Sequence, residues 1–352
     1  MLDPARREYG HRPGDRTEGC GTALLHNGKA AFDKEGRSMN QRSTGAVEFR
    51  DRDTCLNCGS RSLTPVWTAR FSDDDVQRNL GHGGYSVEIA ELLGDNEFQL
   101  VRCDTCDLMF HRRVLTPEWL DVLYSGWIDG NQIEHFHART GGGARTHVYD
   151  FERGRQLVKH ALRFDTLLRA GLPSVERYNV LDFGCGDGDF VALLGQLGFR
   201  SYGIDMGAAR VERSGDRGVT IFRSLGEFRK ADVGELHVIT LFQILEHLDD
   251  PRQVLDDLVG CLARGGIAVV EVPDCSAITG RPGTLEGFHD VHPLEHINNF
   301  TPATLTAFCE GSGLTRIARI PAHVTTSARD LARTEASRIV KPRVTNQYFR
   351  KS

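Results

Sequence analysis

The sequence predicts an α/β fold, a doubly wound and mostly parallel sheet preceded by a small module bracketed by cysteines. Three observations predict it. Residues 178–188 read Tyr-Asn-Val-Leu-Asp-Phe-Gly-Cys-Gly-Asp-Gly, an apolar strand running into a Gly-x-Gly-x-Gly turn. Further apolar runs of strand length alternate with stretches of helical period, the rhythm of a parallel sheet with helices on both faces. Upstream, two Cys-x-x-Cys pairs stand at Cys55/Cys58 and Cys103/Cys106.

Bulk numbers limit the classes. A chain of 352 residues, 39% hydrophobic with 38 glycines, has room for about two domains and a substantial core. A net charge of −5 gives no support to a general nucleic-acid-binding surface. No run approaches the roughly 18 apolar residues of a membrane span. The N-terminus has early charges and no apolar h-region, so no secretory signal is expected. The expected compartment is the cytoplasm, where nine cysteines serve as thiols or metal ligands rather than disulfides.

Along the chain, residues 1–48 are polar, glycine-rich and without period, and are read as disordered. Residues 49–118 form the cysteine-bracketed module. Residues 119–172 read as a helical linker or lid. It contains a short amphipathic piece, Trp119–Tyr124, and a longer one from Phe151 to Ala170, with Leu157, Ala161, Phe164, Leu167 and Leu168 at helical spacing. His135, His137 and Gly141–Gly143 between them suggest a loop. The main domain spans 173–322. The tail 323–352 is basic (Arg329, Arg333, Arg338, Lys341, Arg343, Arg350, Lys351) and is expected to be a frayed helix followed by coil.

The glycine turn carries the chemistry. A buried parallel strand needs an apolar run such as Val180-Leu181, and the glycines let backbone approach a ligand where a Cβ would collide. A nicotinamide dinucleotide site wants Gly-x-Gly-x-x-Gly so that a pyrophosphate rests on the helix end, but here the third position is Asp189. Asp182 before the turn and Asp189 after it suit a ligand with a positive charge and no phosphates. Phe199–Ile204 reads as the next strand and ends at Asp205, placed to accept hydrogen bonds from ribose hydroxyls. The alternative for Asp205 is an N-cap for a helix beginning near Ala208. His237–Phe242 and Ile267–Val272 are further strands, and Leu314–Ile320 the closing one.

This pattern resembles motif I and its surroundings in class I S-adenosylmethionine (SAM) methyltransferases, over about residues 173–322. The resemblance implies a Rossmann-like, seven-stranded sheet and SAM as cofactor. The cofactor-binding residues it implies are Asp182, Gly184, Cys185, Gly186, Gly188, Asp205, Met206, Gln243, Glu246 and His247. Cys185 fills a place in the turn that needs a small side chain and is not read as a nucleophile.

Each Cys-x-x-Cys pair can deliver two thiolates, and four thiolates make a closed tetrahedral zinc site. Such a site would staple a segment too short to hold a core of its own. The alternatives are a redox pair, which belongs at a helix start in a thioredoxin-like pattern, and chance spacing. The segment resembles the N-terminal zinc ribbons fused to certain bacterial methyltransferases, through Cys103, Cys106, Leu108, Phe110, Leu123 and Tyr124 as well as the first pair. Cys20, Cys261, Cys275 and Cys309 have no matching partners and read as ordinary thiols.

Methyl transfer needs an aligned nucleophile and, for a weak one, a base, for which histidine is the default. Two Glu-His pairs offer it. Glu295-His296 lies in His289-Asp-Val-His-Pro-Leu-Glu-His-Ile-Asn-Asn-Phe300, just before a helix expected near Pro302. It resembles the Glu-His-Leu-x-x-Phe segment of zinc-ribbon sugar C-methyltransferases, which implies that Glu295 and His296 are an acid–base pair enolising a keto-sugar. This chain has His292-Pro293-Leu294 where that family carries a tyrosine, and the large C-terminal domain of those enzymes is expected to be absent. The alternative for His296 is packing near the helix start. Glu246-His247 resembles part of the Glu-x-x-Glu-His metal site of small-RNA 2′-O-methyltransferases, with one of His289, His292 or His296 as a further ligand. Gln243 at the first position is a weak ligand for a hard ion. The alternative is that this pair lines the SAM pocket or braces the loop.

The leading expectation is a SAM-dependent methyltransferase acting at carbon or oxygen of a small acceptor, sugar-like or a secondary metabolite. Rivals are methylation of RNA or protein gripped by the zinc module and basic tail, and a non-catalytic SAM-binding scaffold. Structural zinc is the second expected cofactor.

Overall fold

The computed structural model describes residues 46–80, 85, 89–128, 178–207, 211–212, 215, 218–318, 328–329, 332 and 344–352. The expectations for 1–45, for the helix Phe151–Ala170, for His135, His137 and Gly141–Gly143, and for most of 323–343 fall outside these residues.

Thirteen strands are described: β1 Phe49–Asp51, β2 Leu63–Arg70, β3 Glu97–Cys103, β4 Met109–His111, β5 Arg113–Leu115, β6 Asn179–Phe183, β7 Arg200–Ile204, β8 Thr220–Phe222, β9 Leu236–Phe242, β10 Leu262–Pro273, β11 Asn298–Asn299, β12 Leu314–Ile317 and β13 Val344–Lys351. Seven of them form one sheet in the order β12-β13-β10-β9-β6-β7-β8. β10, β9, β6, β7 and β8 run parallel, and β13 is antiparallel to both of its neighbours.

Side-chain alternation along the strands sorts the apolar residues into two cores, as a sheet covered on both faces requires. On one face, Leu181, Ile239, Leu241, Ala268, Val270 and Val272 pack with Leu255, Leu258, Leu305 and Phe308 from the helices Pro251–Cys261 and Pro302–Glu310. On the other, Val180, Val238, Ile267 and Val269 meet Phe190 and Leu194 of the helix Asp189–Gln196. The crossover order reverses beside β6, so the carboxyl ends of β6, β7 and β9 flank the switch point where open α/β sheets bind ligands.

The cysteine module is built on β2, β3 and β4, paired antiparallel. It continues into the main domain, because β11, from the segment between β10 and the helix Pro302–Glu310, adds to β4 as a fourth strand. Arg52 locks the junction. Its guanidinium donates to the carbonyls of His111 (3.1 Å) and Ile297 (2.9 Å) and to Asn298 Oδ1 (2.8 Å). Arg252 reaches back from the main domain to Asn57 Oδ1 at 2.7 Å. Cys55, Cys103, Leu108 and Phe110 belong to the same apolar core as β6, β9 and β10.

Two expectations need correction. The last segment is not coil throughout: Val344–Lys351 is a full strand, with Phe349 wholly buried and Tyr348 nearly so. The reason is that Val-x-x-x-Tyr-Phe supplies strand-forming side chains, while Arg350 and Lys351, which follow them, gave it the look of a solvated tail. Leu314–Ile317 is consequently not the last strand along the chain, and it sits beyond β13, at the edge of the sheet. β8, which no expectation named, is only three residues long.

Candidate active site at the carboxyl ends of the sheet

Gly184, Gly186 and Gly188 all hold positive φ (76°, 58° and 77°), so the turn has the backbone form that glycine permits at least cost. At Gly184 a Cβ would run into the side chain of Ile244, which packs over the turn, whereas at Gly186 it would meet open space. The turn is therefore sealed on one side and approachable on the other. Asp205 clasps it: its carboxylate accepts from the amides of Gly186 and Gly207, each at 2.9 Å. Asp182 is buried and accepts from Thr240 Oγ1 at 2.6 Å. The cradle, the two carboxylates and Asp189 in the first turn of the helix fit a cationic adenosyl ligand better than a pyrophosphate. Met206, beside Asp205, is among the most exposed large apolar side chains described.

Gln243 ends β9 in the left-handed region (φ 59°), with its amide donating to the Glu271 carbonyl at 2.7 Å and Nε2 3.4 Å from Glu271 Oε1. This sharp exit turns the 3-10 helix Leu245–His247 inward and buries Glu246. Neither carboxylate oxygen of Glu246 has a hydrogen-bond partner among the described residues, and burial pushes its pKa up to about 8. His247 Nδ1 lies 2.8 Å from the Glu295 carbonyl and His296 Nδ1 lies 3.3 Å from the Asp290 carbonyl. Burial lowers both imidazoles, and His296 stays well below the usual histidine range, so both are neutral at pH 7.

The two Glu-His pairs thus meet: the rings of His247 and His296 are 4.8 Å apart, and donor atoms of Glu246, His247 and His296 all lie within 4.8 Å of one another. His289, exposed, stands 5.0 Å from His296 ring to ring, while His292 turns away to a different partner set. Tyr85, delivered by the module, donates to Glu295 Oε1 and lies 3.2 Å from His292 Nε2. Burial would raise the Glu295 pKa, but His292 and the Tyr85 hydroxyl outweigh it and hold the carboxyl below its usual range. Tyr124 donates to the Glu295 carbonyl at 3.4 Å. Glu295 and His296 therefore face different ways: the first toward Tyr85 and His292, the second toward Glu246 and His247. Thr240, Glu271 and Tyr85 were not legible as site residues. Tyr85 follows Gly81-His-Gly-Gly84 with no local signal, and only the tertiary fold brings it to residues 292–295.

The four module cysteines also converge. Cys55 Sγ is 3.4 Å from Cys106 Sγ and Cys58 Sγ 3.5 Å from Cys103 Sγ, all four within 4.8 Å. Thiolates around zinc at about 2.3 Å stand roughly 3.8 Å apart, so the spacing fits that ion. Each pair sits on a knuckle closed by an amide-to-carbonyl bond of 2.9 Å, from Gly59 to Cys55 and from Asp107 to Cys103. Gly59 and Asp107 take positive φ at matching places. Burial pushes the Cys103 thiol up, but the amides of Thr105 and Cys106 prevail and bring it down to about 7.

Comparison with known proteins agrees with this geometry. Residues 152–318 match the family described as a methyltransferase domain. The chain is 29% identical over 150 residues to a ubiquinone biosynthesis O-methyltransferase of Sodalis glossinidius, covering 40% of this chain and 57% of that one. It is 25% identical over 266 residues to the C-methyltransferase NovU of Streptomyces niveus, covering 72% of this chain and 57% of that one. It thus spans somewhat over half the length of these curated relatives. Among solved structures, magnesium protoporphyrin IX methyltransferase from Synechocystis with bound SAH is similar at a TM-score of 0.43 and 14% identity, over 67% of this chain and 99% of that one. The matched region resembles a methyltransferase domain.

Proposed function

We propose that the protein transfers the methyl group of SAM to carbon or oxygen of a small acceptor, sugar-like or a secondary metabolite. The observation that carries the proposal is the glycine cradle, open at Gly186 and flanked by the carboxylates of Asp182 and Asp205, at the switch point of the sheet. When bound there, SAM supplies an electrophilic sulfonium methyl. Asp205 would accept from the ribose hydroxyls, the backbone of residues 184–188 would lie along the amino-acid part, and Gln243, Glu246 and His247 would border it.

Of the expected acid–base pair, His296 is the proposed base at the acceptor, and Glu295, ionised and turned to the other side, is not the acid. His296, neutral and with Nδ1 turned to the Asp290 carbonyl, keeps Nε2 to take a proton from the acceptor. Glu295, with Tyr85 and His292, would fix the acceptor's polar groups. That the O-methyltransferase and C-methyltransferase relatives are both similar supports a small acceptor and leaves both atoms in play. Cys55, Cys58, Cys103 and Cys106 would hold zinc with no open coordination position, so the ion would staple the module rather than join the reaction.

The test uses methyl-labelled SAM with the purified protein and a fractionated cell extract, with and without ribonuclease. Label in the small-molecule fraction is expected; label in RNA or protein would overturn the acceptor class. Asp182→Ala and Asp205→Ala should each weaken SAM binding severely, and His296→Ala should keep SAM affinity and lose rate. Near-wild-type binding by both aspartate variants would sink the site assignment.

A further inference from the structure

We propose that Glu246, His247 and His296 hold a divalent first-row transition-metal ion beside the methyl-transfer cleft, apart from the cysteine site. Three observations carry this. The first is convergence, with donor atoms of all three residues within 4.8 Å and Glu246 Oε1 4.0 Å from His247 Nε2. The second is the carboxylate: Glu246 is 1% exposed, yet both its oxygens lack a hydrogen-bond partner among the described residues. A buried carboxylate with neither oxygen satisfied costs several kcal/mol unless a cation or proton meets it. No Lys or Arg forms an ion pair with it among the described residues.

The third observation is the orientation of the imidazoles. A carbonyl can only accept, so the 2.8 Å contact to the Glu295 carbonyl puts the proton of His247 on Nδ1 and leaves the lone pair on Nε2, the atom facing Glu246. The contact from His296 Nδ1 to the Asp290 carbonyl does the same for the second ring. A ring nitrogen donating to a backbone carbonyl while the other bears the lone pair is the way protein folds orient metal-binding histidines. Two imidazoles and one carboxylate suit zinc, iron(II), cobalt(II) or manganese(II) and leave coordination positions open. Donors about 2.1 Å from an ion stand roughly 3–3.5 Å apart, so the set closes with a contraction of about an ångström. His289, exposed beside His296, stands at the mouth.

Any part this ion plays in methyl transfer rests on the function proposed above, whereas its binding does not. Filling the site would take up the Nε2 lone pair of His296, so the base role proposed above would belong to the ion-free protein. The full chain, with its cysteine site loaded, is titrated with cobalt(II) and read by visible absorption and by X-ray absorption at the cobalt edge. One equivalent with nitrogen and oxygen neighbours, no sulfur and no thiolate charge-transfer band is expected. Glu246→Gln and His296→Gln should each weaken it by at least about 10–100-fold, the loss that even outer partners of metal ligands cause. Cobalt that binds only with sulfur neighbours, or binds Glu246→Gln as tightly as wild type, would overturn the site. Should a variant not fold, the wild-type edge spectrum decides alone. SAM binding by the same samples is scored separately, so loss of the methyltransferase reading and loss of the metal site give different results.

Discussion

At the scale of single residues, the glycine turn separates packing from binding. Gly184 and Gly186 share a positive φ, but only Gly184 is overlaid by Ile244. Alanine at 184 should cost about 1–3 kcal/mol through backbone strain and overpacking. Alanine at 186 pays mainly the backbone strain, yet puts a methyl into the cradle. Thermal melts beside SAM titrations should therefore rank 184 worse for stability and 186 worse for binding relative to stability; the reverse order would mean the open side is not the ligand side. His111 makes a pH prediction. It is fully buried, its Nε2 donates to the Val291 carbonyl at 2.9 Å, and burial lowers its pKa to about 3. Below about 6.5 the unfolded chain gains a proton that the folded imidazole refuses, so stability is full above that pH and falls toward 3 by up to about 1.4 kcal/mol per pH unit. Stability curves of His111→Gln should lose one proton's worth of that slope, and an unchanged slope would show that the imidazole titrates as freely in the fold as in the unfolded chain.

At the scale of elements, what could be read was whatever carried its own signal. The run at Val180–Leu181, the acidic end of β7 at Asp205 and the start at Pro302 are each marked locally. The helix Pro302–Glu310 has a reciprocal capping box between Thr301 and Thr304, and Thr301→Ala should cost about 1 kcal/mol in a denaturant titration. β13 was not legible because charge masked its alternation and because its place, between β10 and β12, is set by partners far off in sequence. Phe349 shows how much depends on it, being wholly buried in the core shared with β9 and β10. Phe349→Ala should cost about 3–5 kcal/mol, against near-zero for a residue of a frayed tail. The Glu295-His296 dipeptide was legible, but not its division, since consecutive residues that leave the backbone on opposite sides answer to different neighbours.

At the scale of the whole molecule, the module and the main domain are joined by a sheet, β11 on β4, and by a core containing two of the four cysteines. If a zinc ion holds those cysteines, its loss should be felt by the entire unit. Cys55→Ser/Cys103→Ser should lose one zinc by elemental analysis and melt at a lower temperature in a single transition. A metal-free protein melting like wild type would remove the staple from the account. The same long-range stitching limits the order in which the fold can assemble. β12 leaves the ribosome before β13, yet among the described strands its one partner is β13, and only through β13 does it reach β10. A nascent chain that has delivered everything through residue 317 can pair β6 to β10 but must carry β12 unmatched. For that interval the apolar flank of β10 is an open edge, and a holding chaperone has its target there until Val344–Lys351 arrives to cover it.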